Sequence, residues 1–150
     1  MIITSPAFND EERIPPKFTC DGGDINPELL IQNVPAAARS LALMVEDPDA
    51  LMSGGFTHWT VWNIDPKTSL IKDESVPPGS VEGENGAGWV GYMGPCPPPG
   101  APHRYHFKLY ALNAPLDLPV GAPVAALRAE IAAHVIASAE LVGLYGRGKE

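Results

Sequence analysis

Ser40-Leu41-Ala42-Leu43-Met44-Val45-Glu46, the turn Asp47-Pro48-Asp49, and then His58-Trp59-Thr60-Val61-Trp62-Asn63-Ile64 together decide the fold class. The first run is almost continuously apolar and too short for a buried helix, which suits a strand covered on both faces. The second alternates, with His58, Thr60, Trp62 and Ile64 on one face and Trp59, Val61 and Asn63 on the other. Outward from this pair, Tyr105 to Leu112 alternates again, and Glu28 to Gln32 follows the turn Asp24-Ile25-Asn26-Pro27. Short apolar runs between turn signals predict a mainly β domain, a sandwich or a barrel. One segment reads as a helix. Pro123 suits its first turn, and Val124, Leu127, Ile131 and Val135 recur at helical spacing on an alanine-rich background to about Ala137. Glu140 to Tyr145 then predicts a closing strand.

The chain has 150 residues, one domain's worth, with no internal repeat and no linker, so a single domain over 1–150 is expected. Its 17 prolines and 15 glycines exclude a bundle of long helices. A net charge of −8 repels nucleic acid, and the basic clusters are only His103-Arg104 and Arg147 with Lys149. No stretch approaches the roughly 18 apolar residues of a membrane span. The start, Met1 to Pro6, lacks the basic region and apolar run of a signal peptide, so a soluble, cytoplasmic protein is expected. In that compartment Cys20 and Cys96 are expected to be reduced. A bridge between them stays open if the fold brings their α-carbons within about 7 Å.

Polar residues of chemical interest gather at strand ends. Asp47 and Asp49 flank Pro48, His58 opens a strand, and the proline-rich loop from Gly94 to Pro102 runs into His103-Arg104-Tyr105. Stiff loops make good pocket rims because they lose little entropy on binding. Arg104 can neutralise an anion with its planar fork or pair internally with Asp47 or Asp49, and the internal pair is the one expected. Asp47, Asp49, His58, His103 and His106 are metal-ligand types, but His103 and His106 fall on opposite faces of a continuous strand and no HExxH motif occurs. No GxSxG elbow, Walker loop or dinucleotide fingerprint is present. Cys96 and His103 lack a helix N-terminus to lower the thiol pKa. No catalytic residue, metal or cofactor is expected, only a polar pocket fit for an anion.

Asp47-Pro48-Asp49, His58-Trp59-Thr60-Val61-Trp62-Asn63, Gly94-Pro95 with its proline run, and His103-Arg104-Tyr105, in this order, resemble the phosphatidylethanolamine-binding protein family, whose animal members are also called Raf kinase inhibitor proteins. Phe18-Thr19-Cys20-Asp21-Gly22, Ser40-Leu41-Ala42-Leu43 and Ala139 to Arg147 resemble its bacterial and archaeal branch, so the likeness runs nearly end to end. The resemblance implies a mainly β, antiparallel two-sheet β-sandwich, a large sheet packed on a smaller one, with one helix near the C-terminus. It implies a small pocket for phosphate or a phospholipid headgroup, bound by Asp47, His58, Gly94, Pro95, Pro97, His103 and Tyr105. Asp49 and Arg104 would support the loops. It also implies a non-catalytic regulatory role, with a kinase or a protease as a candidate protein partner. A surface-acting inhibitor is the alternative, and an Asp/His-dependent hydrolase a more distant one. An exposed apolar face at Trp59 or Trp89 would support a homodimer. Protonated His58 or His103 would attract the anion, so binding is expected to weaken as pH rises through roughly 6 to 7.5.

Overall fold

The computed structural model describes residues 1–148 as two sheets and one α-helix. The small sheet has the order β1-β3-β6, from β1 (Ile2–Thr4), β3 (Leu29–Gln32) and β6 (Leu70–Ile71), all antiparallel. The large sheet has the order β2-β9-β8-β4-β5-β7. Its strands are β2 (Glu12–Arg13), β4 (Ser40–Asp47), β5 (Phe56–Ile64), β7 (Val81–Glu82), β8 (His103–Leu112) and β9 (Val135–Tyr145). Its short β2–β9 pairing is parallel, and its other strand pairings among the described residues are antiparallel.

The apolar run of β4 is explained by cores on both sides of it. Leu41, Leu43 and Val45 point between the sheets, where Ile3, Leu29, Ile31 and Ile71 of the small sheet meet Phe107 and Leu109 of β8. Ala42 and Met44 point the other way, toward Leu127 and Ile131 of α1 (Val124–His134). Those two helical residues are four apart and share one face. Each fully buried aliphatic side chain contributes about 2 kcal/mol.

Two expected patterns differ in the structure. The helix ends at His134 rather than near Ala137. β-Branched Val135 and Ile136 instead open β9, and pairing of Val135 to Ala139 with Leu112 to Leu109 of β8 outweighs the helix propensity of the alanines. Val135 is therefore off the helical core face and exposed. In β5, Asn63 takes a left-handed conformation (φ 55°), which breaks the two-residue alternation. Ile64 consequently joins Trp59 and Val61 in the inter-sheet core, while Trp62 lies on the helix side. The Asn63 amide steadies this kink, donating to Leu116 O at 2.9 Å and accepting from Leu116 N at 2.7 Å.

Cys20 and Cys96 are joined in a disulfide with a Cα–Cα distance of 5.4 Å, which overturns the expectation of a reduced pair. The fold brings together two loops that are 76 residues apart in sequence. Trp59 is fully buried, its indole N–H donating to Glu82 Oε2 at 2.7 Å, so it offers no dimer face; Trp89 is about half exposed. Among the described residues, no helix is long and apolar enough to cross a membrane.

Candidate functional site

At one end of the sandwich, the outgoing end of β4 and the incoming ends of β5 and β8 lie side by side, because antiparallel neighbours alternate direction. This places Asp47, His58, His103 and Tyr105 around one cavity of about 250 Å³. Pro97 and Pro98 form its far wall, and Leu51 and Met52 stand at its mouth.

The two histidines are held in the same way. His58 Nδ1–H donates to Met93 O at 2.6 Å, and His103 Nδ1–H donates to Asp47 Oδ2 at 2.6 Å. Each carbonyl or carboxylate partner can only accept, so both rings carry their proton on Nδ1 when neutral. Nε2 is then each ring's second nitrogen, which makes no hydrogen bond of ordinary geometry to protein among the described residues. His58 is packed edge-on against Phe56 and Tyr105, with ring centroids 4.9 and 5.2 Å away. Burial pushes the His58 pKa below its ordinary value, against the pull of the Met93 carbonyl and the Asp47 charge. Its protonation therefore needs more acidic conditions than the sequence alone suggests. Burial, followed by the Asp47 charge, pushes Tyr105 ionisation upward, so its hydroxyl keeps its proton and can act as a hydrogen-bond donor.

Asp47 is buried and doubly engaged, since its Oδ1 also accepts from Asp49 N at 2.8 Å. It orients His103. Asp49 and Arg104 lie outside the cavity and brace its loop. Arg104 donates from Nε and Nη2 to the two Asp49 oxygens at 3.0 and 2.8 Å, and from its backbone N at 2.8 Å. That bidentate contact holds the Asp49 carboxyl at a pKa of about 2. The arginine is itself half exposed, so geometry selects this partner rather than burial. His106 turns to Glu140, and so does not join His103.

Gly94 and Pro95, expected at the rim, are not part of the lining. Both are buried behind it. Gly94 N donates to Asp24 Oδ1 at 2.8 Å, and Pro95 O accepts from Cys20 N at 3.1 Å. A Cβ on Gly94 would lie 2.6 Å from Phe18 O, so only glycine permits this approach. Conversely, Phe56, Met93, Leu51 and Met52 belong to the cavity and were missed. Phe56 was recoverable, being two residues before His58 on the same strand face. The Met93 carbonyl carries no sequence signal.

The fold and cavity define a class: a two-sheet β-sandwich whose strand ends present paired histidines, a buried aspartate and a tyrosine in a proline-walled pocket. The sequence profile of the phosphatidylethanolamine-binding protein family matches residues 4–146, and the chain belongs to that family. It is 46% identical to a UPF0098 protein of Methanothermobacter thermautotrophicus, over 99% of this chain and 100% of the relative. A phosphatidylethanolamine-binding protein homolog from Chlamydia trachomatis superposes with a TM-score of 0.92 at 41% identity, covering 97% of each chain. Escherichia coli YbcL, described as a member of the mammalian family, superposes at 0.91 with 31% identity and the same coverage. LppC of Mycobacterium tuberculosis, a candidate lipoprotein, is 40% identical over 97% of this chain and 72% of its own length.

Proposed function

We propose that this chain is a non-catalytic, cytoplasmic binding protein whose cavity takes a small phosphorylated anion, such as phosphate or a phospholipid headgroup. The observation carrying this reading is the pair of imidazoles, each committed at Nδ1 and each left with Nε2 as its second nitrogen at one cavity. Once protonated, the two Nε2–H groups form a two-point receptor for phosphate oxygens, beside the Tyr105 hydroxyl that faces Asp47. Asp47 secures His103 by its charge, and that same charge opposes a dianion, which favours a monoanionic phosphate or one carrying an ammonium group. A commitment to binding rather than turnover is supported by the tyrosine, whose raised pKa leaves no phenolate to act as a base near neutral pH, and by the engagement of Asp47 in positioning.

Calorimetric titration with phosphate and O-phosphorylethanolamine tests this, on wild type, His58→Asn and His103→Gln from pH 5.5 to 8.5. Saturable binding is expected, strengthening toward acid and lost in both variants. Affinity that is flat with pH, or survives both substitutions, refutes it. A surface-acting protease or kinase inhibitor is the second reading. It is favoured by Leu51, 92% exposed, and Met52, 57% exposed, which offer apolar side chains to a partner at the mouth of the cavity. Inhibition that survives His58→Asn but not Leu51→Ser would select it.

A further inference from the structure

The Cys20–Cys96 bridge lies where the cavity wall has little else to hold it. Cys96, Pro97 and Pro98 line the cavity, and Pro97, Pro98 and Pro99 have no backbone N–H to donate. Tyr92 OH on Phe18 O, Gly94 N on Asp24 and Cys20 N on Pro95 O stitch the preceding segment to the Phe18–Asp24 loop. The next such tie is Gly100 N on Arg147 O, long at 3.4 Å. Among the described residues, the backbone of 96–99 makes no hydrogen bond that meets ordinary geometry, although Pro99 runs parallel to Arg147. The disulfide is the covalent anchor of that wall.

The same bridge is open to attack. Both cysteines are exposed. Arg147 places Nη1 3.9 Å from Cys96 Sγ, while its Nη2 binds Asp21 Oδ1 at 3.0 Å. A guanidinium beside a sulfur stabilises the thiolate and makes Cys96 the better leaving group.

We propose that Cys20–Cys96 is a thiol-sensitive latch on the cavity, closed when oxidised and released by an external dithiol, with release lowering affinity for the phosphorylated ligand. The ligand half of this inference rests on the function proposed above. One thiolate of the dithiol attacks Cys20 Sγ; an S–S bond forms to the reagent, the Cys20–Cys96 bond breaks, and Cys96 departs as a thiolate beside Arg147. The second thiol of the reagent, deprotonated by solvent, then attacks the mixed disulfide and expels the Cys20 thiolate, which takes a proton from water. The protein gains two electrons and the dithiol becomes a cyclic disulfide. Freed of its anchor, the 96–99 wall must be ordered again whenever ligand binds, which weakens binding.

The test treats the wild-type protein with dithiothreitol without denaturant. Alkylation and mass analysis count thiols, and urea unfolding checks that the reduced protein remains cooperative. Hydrogen exchange follows residues 92–101, and phosphate titration follows the site. Two thiols should appear while the fold persists, and amides in 92–101 should exchange at least tenfold faster. Phosphate should bind at least fivefold more weakly, recovering on reoxidation. Arg147→Gln should slow reduction at least threefold. Cys20→Ala/Cys96→Ala should behave like the reduced protein. Reduction only upon global unfolding, loss of the fold on reduction, or unchanged exchange in 92–101 would each overturn the latch and leave a structural staple. Unchanged phosphate affinity despite faster exchange overturns its link to the ligand. If phosphate binds neither form, the anion reading fails, and the exchange result alone decides the latch.

Discussion

Replacing Gly94 with alanine perturbs the back of the cavity wall at a single methyl group. The added Cβ would lie 2.6 Å from Phe18 O and 2.9 Å from Thr19 Cα, with Asp24 Oδ1 closer still. The first two are backbone atoms of a loop tied down by the disulfide, so a rotamer change cannot relieve them. Overpacking of this kind costs about 1–3 kcal/mol. Displacing this segment also breaks the bond from Gly94 N to the Asp24 carboxylate, worth about 1.5–3 kcal/mol. The sum is about 2.5–6 kcal/mol, or a Tm lowered by roughly 5–24 °C for a chain of this size. Urea denaturation of Gly94→Ala, Asp24→Gly and the double variant separates the contributions. Glycine suits position 24, where the native φ is 56°. The double variant should remain as unstable as Gly94→Ala to within about 1 kcal/mol, because the Phe18 carbonyl still obstructs the methyl. Recovery of the double variant to the level of Asp24→Gly would show that the backbone contact costs nothing and refute the reasoning.

Three further perturbations probe other layers. Asp49 has its pKa depressed to about 2 by Arg104, so its stabilising contribution is complete above about pH 4 and is lost as pH falls toward 2. The urea midpoints of wild type and Asp49→Asn should converge across that window, and a gap constant from pH 5 to 2 would contradict the pairing. Asn63→Ala removes both bonds to Leu116 and leaves alanine in a left-handed conformation, a loss of about 2–4 kcal/mol by chemical denaturation. Asn63→Gly should lose about 1 kcal/mol less. Leu127→Ala should cost about 3 kcal/mol while leaving phosphate affinity unchanged, since the helix packs on the face of the large sheet away from the small one. Weakened binding in Leu127→Ala would mean the two core layers are coupled.

Local periodicity carried the three central strands because each pattern reports its own surroundings. The unbroken apolar run at 41–45 had to be covered twice, and it is covered by the small sheet and by α1. The helix was legible from Leu127 and Ile131, but its end was not. The alanine-rich background continues through Ala137 and Ala139 and favours a helix locally, and only the open edge of β8 draws the chain from Val135 onward into a strand. The face swap at Ile64 was equally hidden, because it follows from one left-handed asparagine satisfied by Leu116, 53 residues away.

At the cavity, sequence by itself determined which chemistry is available: aspartates at a turn, histidines at strand ends and a proline-rich loop entering β8. Tertiary structure decided the partners. It gave His103 to Asp47, Arg104 to Asp49 and His58 to the Met93 carbonyl, and it moved Gly94 and Pro95 behind the wall. It also closed Cys20 onto Cys96. Periodicity reaches only a few residues along the chain, whereas each of these contacts spans 35 to 76 positions and exists only once strands of opposite direction end side by side.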